Sequence, residues 1–471
     1  MNPSAPQPAG SPDGRPVPLP APAPVPAPQD PSAPPASPAL PAPRADDERS
    51  PRPLVPAPHG PAGGPPPAPR RAPAAGAHRE GPDRRLARAI HKVTGTVMGP
   101  HQTAVVRIGF AAAWLLFLLR EFPHRHELYG PRGPWSWDMA RRLIEDNHSF
   151  TVLMWSDSAL WFEAVYAGAV LSSLLLLVGW RTRAMSVLFM VGVLSLQNRS
   201  VFMGDGGDNV IHLMALYLVL TRCGRAWSLD ARRAARKPAP RVDHTGMALW
   251  TLLGFGLVAV VLFRDRSGEP WLMALLWLLW LAQGAWWLVC RFAPGEPRTL
   301  LDVLANLLHN ATLAVIMAEV CLIYATAGWY KIQGSRWQDG TALYYPLQLD
   351  YFTPWPALSD ILAGSGVVVM LITYGTVIVQ VAFPFTLFNR RVKNVLLAVM
   401  MMEHAGIAVL LGLPFFSLAM IAADAVFLPT VFLLWLERRA RTAGRRLRPG
   451  GGPRADKRPA PDAPDTRTLV G

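Results

Sequence analysis

A lysine at the end of a bilayer-length apolar run is the residue of this chain best placed to do chemistry. The stretch from Tyr324 to Phe352, YATAGWYKIQGSRWQDGTALYYPLQLDYF, carries Lys331 with Trp329, Tyr330, Trp337, Tyr344 and Tyr345 close by in sequence. A lysine in such a place ordinarily extends its ammonium to the lipid headgroups. Here the aromatic residues are expected to wall off an apolar pocket that keeps the amine neutral, and a neutral amine can serve as a general base.

Other polar residues interrupt apolar runs, and each needs a partner or a task. Glu403 and His404 fall inside MMEHAGIAVLLGL, which puts the imidazole about 12 Å below the end of its helix at the helical rise per residue. A satisfied core histidine and a proton-handling one are both open readings. Arg107 is expected to pair with Glu163 or Glu319, and His309 and Asn310 to bond between helices. A second cluster joins Gln197-Asn198-Arg199 to Gly204-Asp205-Gly206-Gly207-Asp208-Asn209. Its glycines permit a tight turn, and an ion pair from Arg199 to Asp205 or Asp208 would hold it. A calcium loop fits less well, because the distal glutamate of an EF-hand is missing. Cys223, Cys290 and Cys321 are far apart and match no metal spacing, so no metal is expected.

The elements that must position these groups follow from composition. Of 471 residues 51% are hydrophobic, 17 are tryptophan and only 17% are charged, with the charge in loops and ends. That describes an all-α integral membrane protein, a polytopic helical bundle. The net charge of +14 comes from arginine clusters that flank apolar segments. No aromatic-basic recognition motif accompanies them, so nucleic acid is not an expected partner.

Residues 1–80 hold 27 of the 48 prolines and are expected to form a disordered Pro/Ala-rich cytoplasmic tail. No apolar run precedes residue 103, so the first span should act as its own uncleaved anchor. About ten spans are expected: 103–120, 158–180, 184–197, 207–221, 247–263, 270–290, 306–331, 360–387, 392–412 and 414–436. The third and fourth are short for a ~30 Å core. Basic residues collect at Arg181 and Arg183, at Arg222 through Arg241 with Lys237, at Arg291 and Arg298, at Arg390, Arg391 and Lys393, and from Arg438 onward. This pattern places those loops and both termini in the cytoplasm of a multi-pass plasma-membrane protein. The connection 121–157 should hold an interfacial helix, WDMARRLIEDNHSF, followed by Trp155, Trp161 and Phe162.

Taken in order, QNRSVFMGDGGDN, Trp227-Ser228-Leu229-Asp230, YATAGWYKIQGSRWQDG and EHAGIAVLLGLPFFSLAMI resemble the HTTM family. These are bacterial membrane proteins related to the transmembrane part of vitamin K-dependent gamma-carboxylase. The resemblance covers about residues 95–437, leaving 438–471 as a basic, disordered cytoplasmic tail. It implies that Lys331 is the base toward a reduced quinone, reduced menaquinone or vitamin K hydroquinone, with Trp337 matching as well. His404 falls where the carboxylases carry a histidine. Their Asn-His pair is replaced by Asp208-Asn209, a departure at the oxyanion-stabilising position. The carboxylases continue into a large lumenal domain, so a peptidyl-glutamate substrate is not expected here.

Three readings follow. In the first, a quinol-dependent oxygenase or carboxylase uses Lys331 as base, His404 to orient or relay protons, and Trp337, Tyr344, Asp208, Asn209 and Arg199 to shape the pocket. In the second, the same bundle binds lipid or quinone without catalysis, or scaffolds a partner of unknown identity. The third, solute transport, has little beyond span number behind it, and no internal repeat supports it. The bilayer and a quinone-type lipid are the expected partners.

Overall fold

The computed structural model describes residues 82–236, 244–263 and 270–446. The proline-rich segment 1–80, Lys237, Arg241 and the tail beyond 446 lie outside the described residues. Within them every regular element is helical.

Helix α1 (Pro82–Gly95) leads to α2 (Pro100–Glu121), the short α3 (Arg125–Tyr129) and α4 (Trp137–Asn147). Then come α5 (Ala159–Val178), α6 (Thr182–Arg199), α7 (Gly206–Leu220) and α8 (Leu229–Ala235). A hairpin of α9 (His244–Phe263) and α10 (Pro270–Phe292) precedes the long α11 (Glu296–Gln333) and one-turn α12 (Ser335–Gln338). The chain ends in α13 (Pro356–Ala363), α14 (Gly366–Ala382), α15 (Arg390–Leu410), α16 (Pro414–Asp424) and α17 (Thr430–Arg446).

Seven helical segments are long and apolar enough to cross a membrane, and an eighth results if the bent pair Pro414–Phe427 and Thr430–Ala443 counts as one span. The sequence reading of ten differs at three places, each with a physical cause. Helix α6 carries Arg183, Gln197, Asn198 and Arg199, too many polar groups for its 18 residues. Helix α7 has only 15 residues, about 22 Å of rise. The last expected span bends by 113° because Leu428, which precedes Pro429, takes an extended backbone, as the residue before proline does.

The core is formed by α2, α5, α6, α7 and α16 around Phe110, Trp114, Phe189, Met190, Met214 and Met420. Helix α6 packs on α5 and α7, and α7 on α6 and α16; Gln197 and Asn198 are half-buried and Arg199 is buried, whereas Arg183 and Asn209 are exposed. Helices α9 and α10 stand at the periphery and are joined by a stacked pair. The rings of Trp250 and Trp280 lie 4.2 Å apart at 8°, and each indole N–H donates to the other's carbonyl at 3.0 and 2.9 Å. Helix α4 begins where Ser136 Oγ accepts from the Met139 amide at 3.3 Å and buries Ala140 and Ile144, the amphipathic pattern read from sequence.

The joint between α5, α6 and α8 explains two of the sequence expectations. Helix α5 ends at Gly179, whose φ of 73° is the left-handed conformation that glycine adopts without strain. Arg107, fully buried, reaches across from α2 to the carbonyls of Leu176, Leu177 and Trp227. It neutralises the negative end of α5, so the expected partnership with a glutamate does not form. Glu163 pairs instead with Arg125 at 2.9 Å and His126 at 2.7 Å.

The Trp227–Asp230 motif closes the same joint. Ser228 caps α8 by accepting from the Ala231 amide at 2.8 Å. Asp230 caps α6, accepting from the Arg181 and Thr182 amides at 3.0 and 2.8 Å and from the Thr182 hydroxyl at 3.0 Å. Replacing Asp230 by alanine removes all three bonds. The expected result is a loss of about 1–2 kcal/mol of stability, measured by thermal unfolding in detergent, with Asp230→Asn keeping part of it.

Candidate functional site

Lys331 sits in the last turn of α11, a 38-residue helix whose apolar run has no proline after its first turn. Residues 324, 328 and 331 recur on one face of a helix, and that face turns inward. Tyr324 is buried and Gly328 packs on Val381 of α14 so tightly that a Cβ would collide with it. This close approach brings Lys331 to Gln380. The ammonium donates to Gln380 Oε1 at 2.7 Å, and Gln380 Nε2 donates to Glu403 Oε1 at 2.7 Å. One polar side chain from each of α11, α14 and α15 thus forms a row in which an amide separates cation from carboxylate.

The loop after α11 supplies one aromatic wall. The Gly334 amide bonds the Lys331 carbonyl at 3.1 Å, the chain turns into α12, and the Trp337 ring comes to 5.2 Å from Lys331 Nζ. Asp339 pins this turn by accepting from the Thr341 hydroxyl and from its amide at 3.0 Å. The Thr341 hydroxyl bond holds the Asp339 carboxyl below its usual range. Its contribution is therefore present above the ordinary carboxylate pKa and is lost as pH falls through the depressed one.

A second row lies beside the first. Tyr324 Oη donates to Asp424 Oδ1 at 2.9 Å and lies 3.0 Å from His404 Nε2. All three side chains are buried, Asp424 with no exposure at all. Glu403 and His404 are neighbours on α15, so they diverge by about 100° around the helix and serve different rows. The ring of Phe383 meets Tyr324 edge-on at 6.0 Å, and that of Phe416 meets His404 at 5.7 Å. Lys331 and Glu403 act electrostatically on the second row.

The structure brings Trp337 to Lys331 and places His404 in the neighbouring row; the other expected residues make contacts of their own. Trp329 and Tyr330 are 60% and 74% exposed, so they do not wall the amine. They fall off the 324–328–331 face. Tyr344 is exposed and packs edge-on against Tyr345 at 5.9 Å. Arg199 is buried with its guanidinium on the carbonyls of Gly130 and Trp135, both at 2.9 Å, so the expected pair with Asp205 or Asp208 is not made. Those aspartates cap α7 reciprocally: Asp205 accepts from the amides of Gly207 and Asp208, and Asp208 accepts from the Asp205 amide at 2.9 Å. Asn209 is exposed.

His309 and Asn310 do bond between elements. His309 Nδ1 accepts from the Arg222 amide and Nε2 faces the Met98 carbonyl, both at 2.9 Å. Asn310 holds Met98, Val93 and Thr96. Sequence reasoning passed over Gln380, Tyr324 and Asp424. Gln380 and Asp424 are polar residues inside apolar runs, the same signal that drew attention to Glu163. Among the described residues no three His, Cys, Asp or Glu side chains come together as metal ligands. Comparison with family models, with curated proteins and with solved structures finds no match to this chain.

Proposed function

We propose that the chain is a multi-pass helical membrane protein of HTTM-like organisation that handles a quinol-type lipid, with Lys331 as the base. The observation that carries this reading is the amine of Lys331, half-buried at the end of an apolar helix, held by Gln380 and faced by the Trp337 ring. A neutral amine there keeps one N–H on Gln380 Oε1 and has a lone pair left to accept a proton. Once protonated, it is stabilised by the indole face and, through Gln380, by the Glu403 carboxylate. A reduced quinone, menaquinol or vitamin K hydroquinone, supplies an acidic ring hydroxyl and reducing equivalents for dioxygen, and an aromatic ring beside an amine suits such a headgroup. His404 is the second proton-handling residue.

Counting the bent pair once gives eight spans, an even number that supports the reading with both termini on one face. Whether α6 and α7 cross fully does not alter this parity, since they come as a pair. The basic loops assign that face to the cytoplasm of the plasma membrane.

A second reading is favoured by the completeness of the Lys331–Gln380–Glu403 row, which satisfies its charges without a ligand. In it the bundle binds lipid or quinone, or scaffolds a partner, and performs no turnover. Trp337 tests the part common to both. Menaquinone added to the protein in nanodiscs is expected to quench tryptophan fluorescence saturably, and Trp337→Phe to remove a saturable part of the change. Quenching that is identical in the variant would place any bound quinone away from Lys331.

A further inference from the structure

We infer that Asp424, Tyr324 and His404 form a one-proton relay that takes up a proton at His404 Nδ1 and stores it on Asp424. The inference rests on His404 as the proton-handling residue of the reading above. It adds the two residues that give the imidazole a destination for its proton.

The argument is a count of hydrogens along two bonds. With Asp424 as the carboxylate, the single hydrogen of the Tyr324 hydroxyl is given to Asp424 Oδ1 across 2.9 Å. The hydroxyl oxygen can then only accept from His404 Nε2 across 3.0 Å, so the neutral imidazole carries its hydrogen on Nε2 and leaves Nδ1 a bare lone pair. Among the described residues Nδ1 has no hydrogen-bond partner, and neither has Asp424 Oδ2 at the opposite end of the row. Both residues are almost wholly buried. A row made only for packing would be expected to satisfy its two ends.

Proton uptake at Nδ1 can be passed along without moving a heavy atom. The Nδ1–H bond forms, Nε2 releases its hydrogen to the tyrosine oxygen, and that oxygen releases its own to Asp424 Oδ1. One proton has been added, one carboxylate has become a carboxylic acid, and the tyrosine is again a neutral phenol. The imidazole ends with its hydrogen on Nδ1 and accepts from the tyrosine through Nε2. Both hydrogen bonds persist with their directions reversed.

The surroundings suit storage. The rings of Phe383 and Phe416 pack edge-on against Tyr324 and His404, and all three side chains of the row are buried. The charged groups that act on it are Glu403 from α15 and Lys331 from α11. Helices α2 and α7 also pack on α16, but Arg107 of α2 is committed to carbonyls near α5. On α7, His212 faces Gln197 and Asp208 is used in the cap. From α14 the uncharged Gln380 and Thr376 bond Glu403.

The test is infrared difference spectroscopy of the full chain in nanodiscs, without quinol, titrated from alkaline to acid pH. A carbonyl band of a protonated carboxyl is expected to grow, to shift when aspartate is labelled with carbon-13 at the carboxyl, and to disappear in Asp424→Asn. In Tyr324→Phe the relay is cut, so the Asp424 band should hold one amplitude across the titration. No aspartate-labelled band in the unmutated protein would overturn the inference, and this arm needs no variant to fold. A band that survives in folded Asp424→Asn, or one that titrates unchanged in Tyr324→Phe, would overturn it as well. Because no quinol is present, failure here counts against the relay alone, whereas missing oxygen uptake counts against Lys331 as base.

Discussion

Gln380→Leu is expected to destabilise the folded protein by about 2–4 kcal/mol, read as a lower unfolding midpoint in a detergent titration. Gln380 bridges the Lys331 ammonium and the Glu403 carboxylate. Leucine fills a similar volume but removes the acceptor of Lys331 and one of the donors to Glu403, which keeps its bond from Thr376. Breaking a fully buried ion pair costs about 3–5 kcal/mol, and the half-buried state of Lys331 brings the figure down. Once Lys331 has been replaced by methionine no amine is left without its acceptor, so Gln380→Leu should cost clearly less in that background, and the double variant should be more stable than the sum of the two singles. Strict additivity would mean that the row is not an energetic unit.

The second large effect falls on activity. Lys331→Met should lower quinol-dependent oxygen uptake by about 100-fold or more, the scale of a lost general base, while leaving a folded protein. Methionine can lie against Trp337, and Glu403 keeps its bond from Gln380, so the structural cost stays small. Lys331→Arg separates base from cation. Guanidinium retains the positive charge, a donor for Gln380 and a cation for the indole face, but it cannot be deprotonated in a protein. If Lys331 acts as a base, arginine should be about as inactive as methionine. Retained activity with arginine would mean that only charge is needed.

Much of the architecture was legible because apolar runs of bilayer length are a local property. The helices from α9 to α11 and α14 to α15 follow from them directly. The failures are equally physical. Arg107 was rightly recognised as a buried charge in need of a partner, but its partners are the carbonyls that end α5. Which helix end faces which arginine is settled by packing, not by spacing along the chain. The partners of Arg199 were misjudged for the same reason, since carbonyls from the segment before α4 meet it in place of Asp205 or Asp208.

The site itself was half readable. Lys331 and Trp337 are close in sequence and turn out close in space. The exclusion of Trp329 and Tyr330 was available from helical periodicity, because neither shares the face of Tyr324, Gly328 and Lys331. Gln380, Glu403 and Asp424 come from three other helices, and a single sequence does not say which side chains meet. The Trp227–Asp230 motif carried part of a family resemblance, yet its bonds are helix caps. Motifs of this kind bear on fold more than on chemistry.

The central claim is that Lys331 serves a quinol as base. The most direct measurement is oxygen uptake by purified protein in nanodiscs given reduced menaquinone or vitamin K hydroquinone. The account predicts uptake with formation of the quinone epoxide, lost in Lys331→Met. Absence of uptake in a folded sample that binds the quinol would contradict it and leave the bundle as a binding or scaffolding protein.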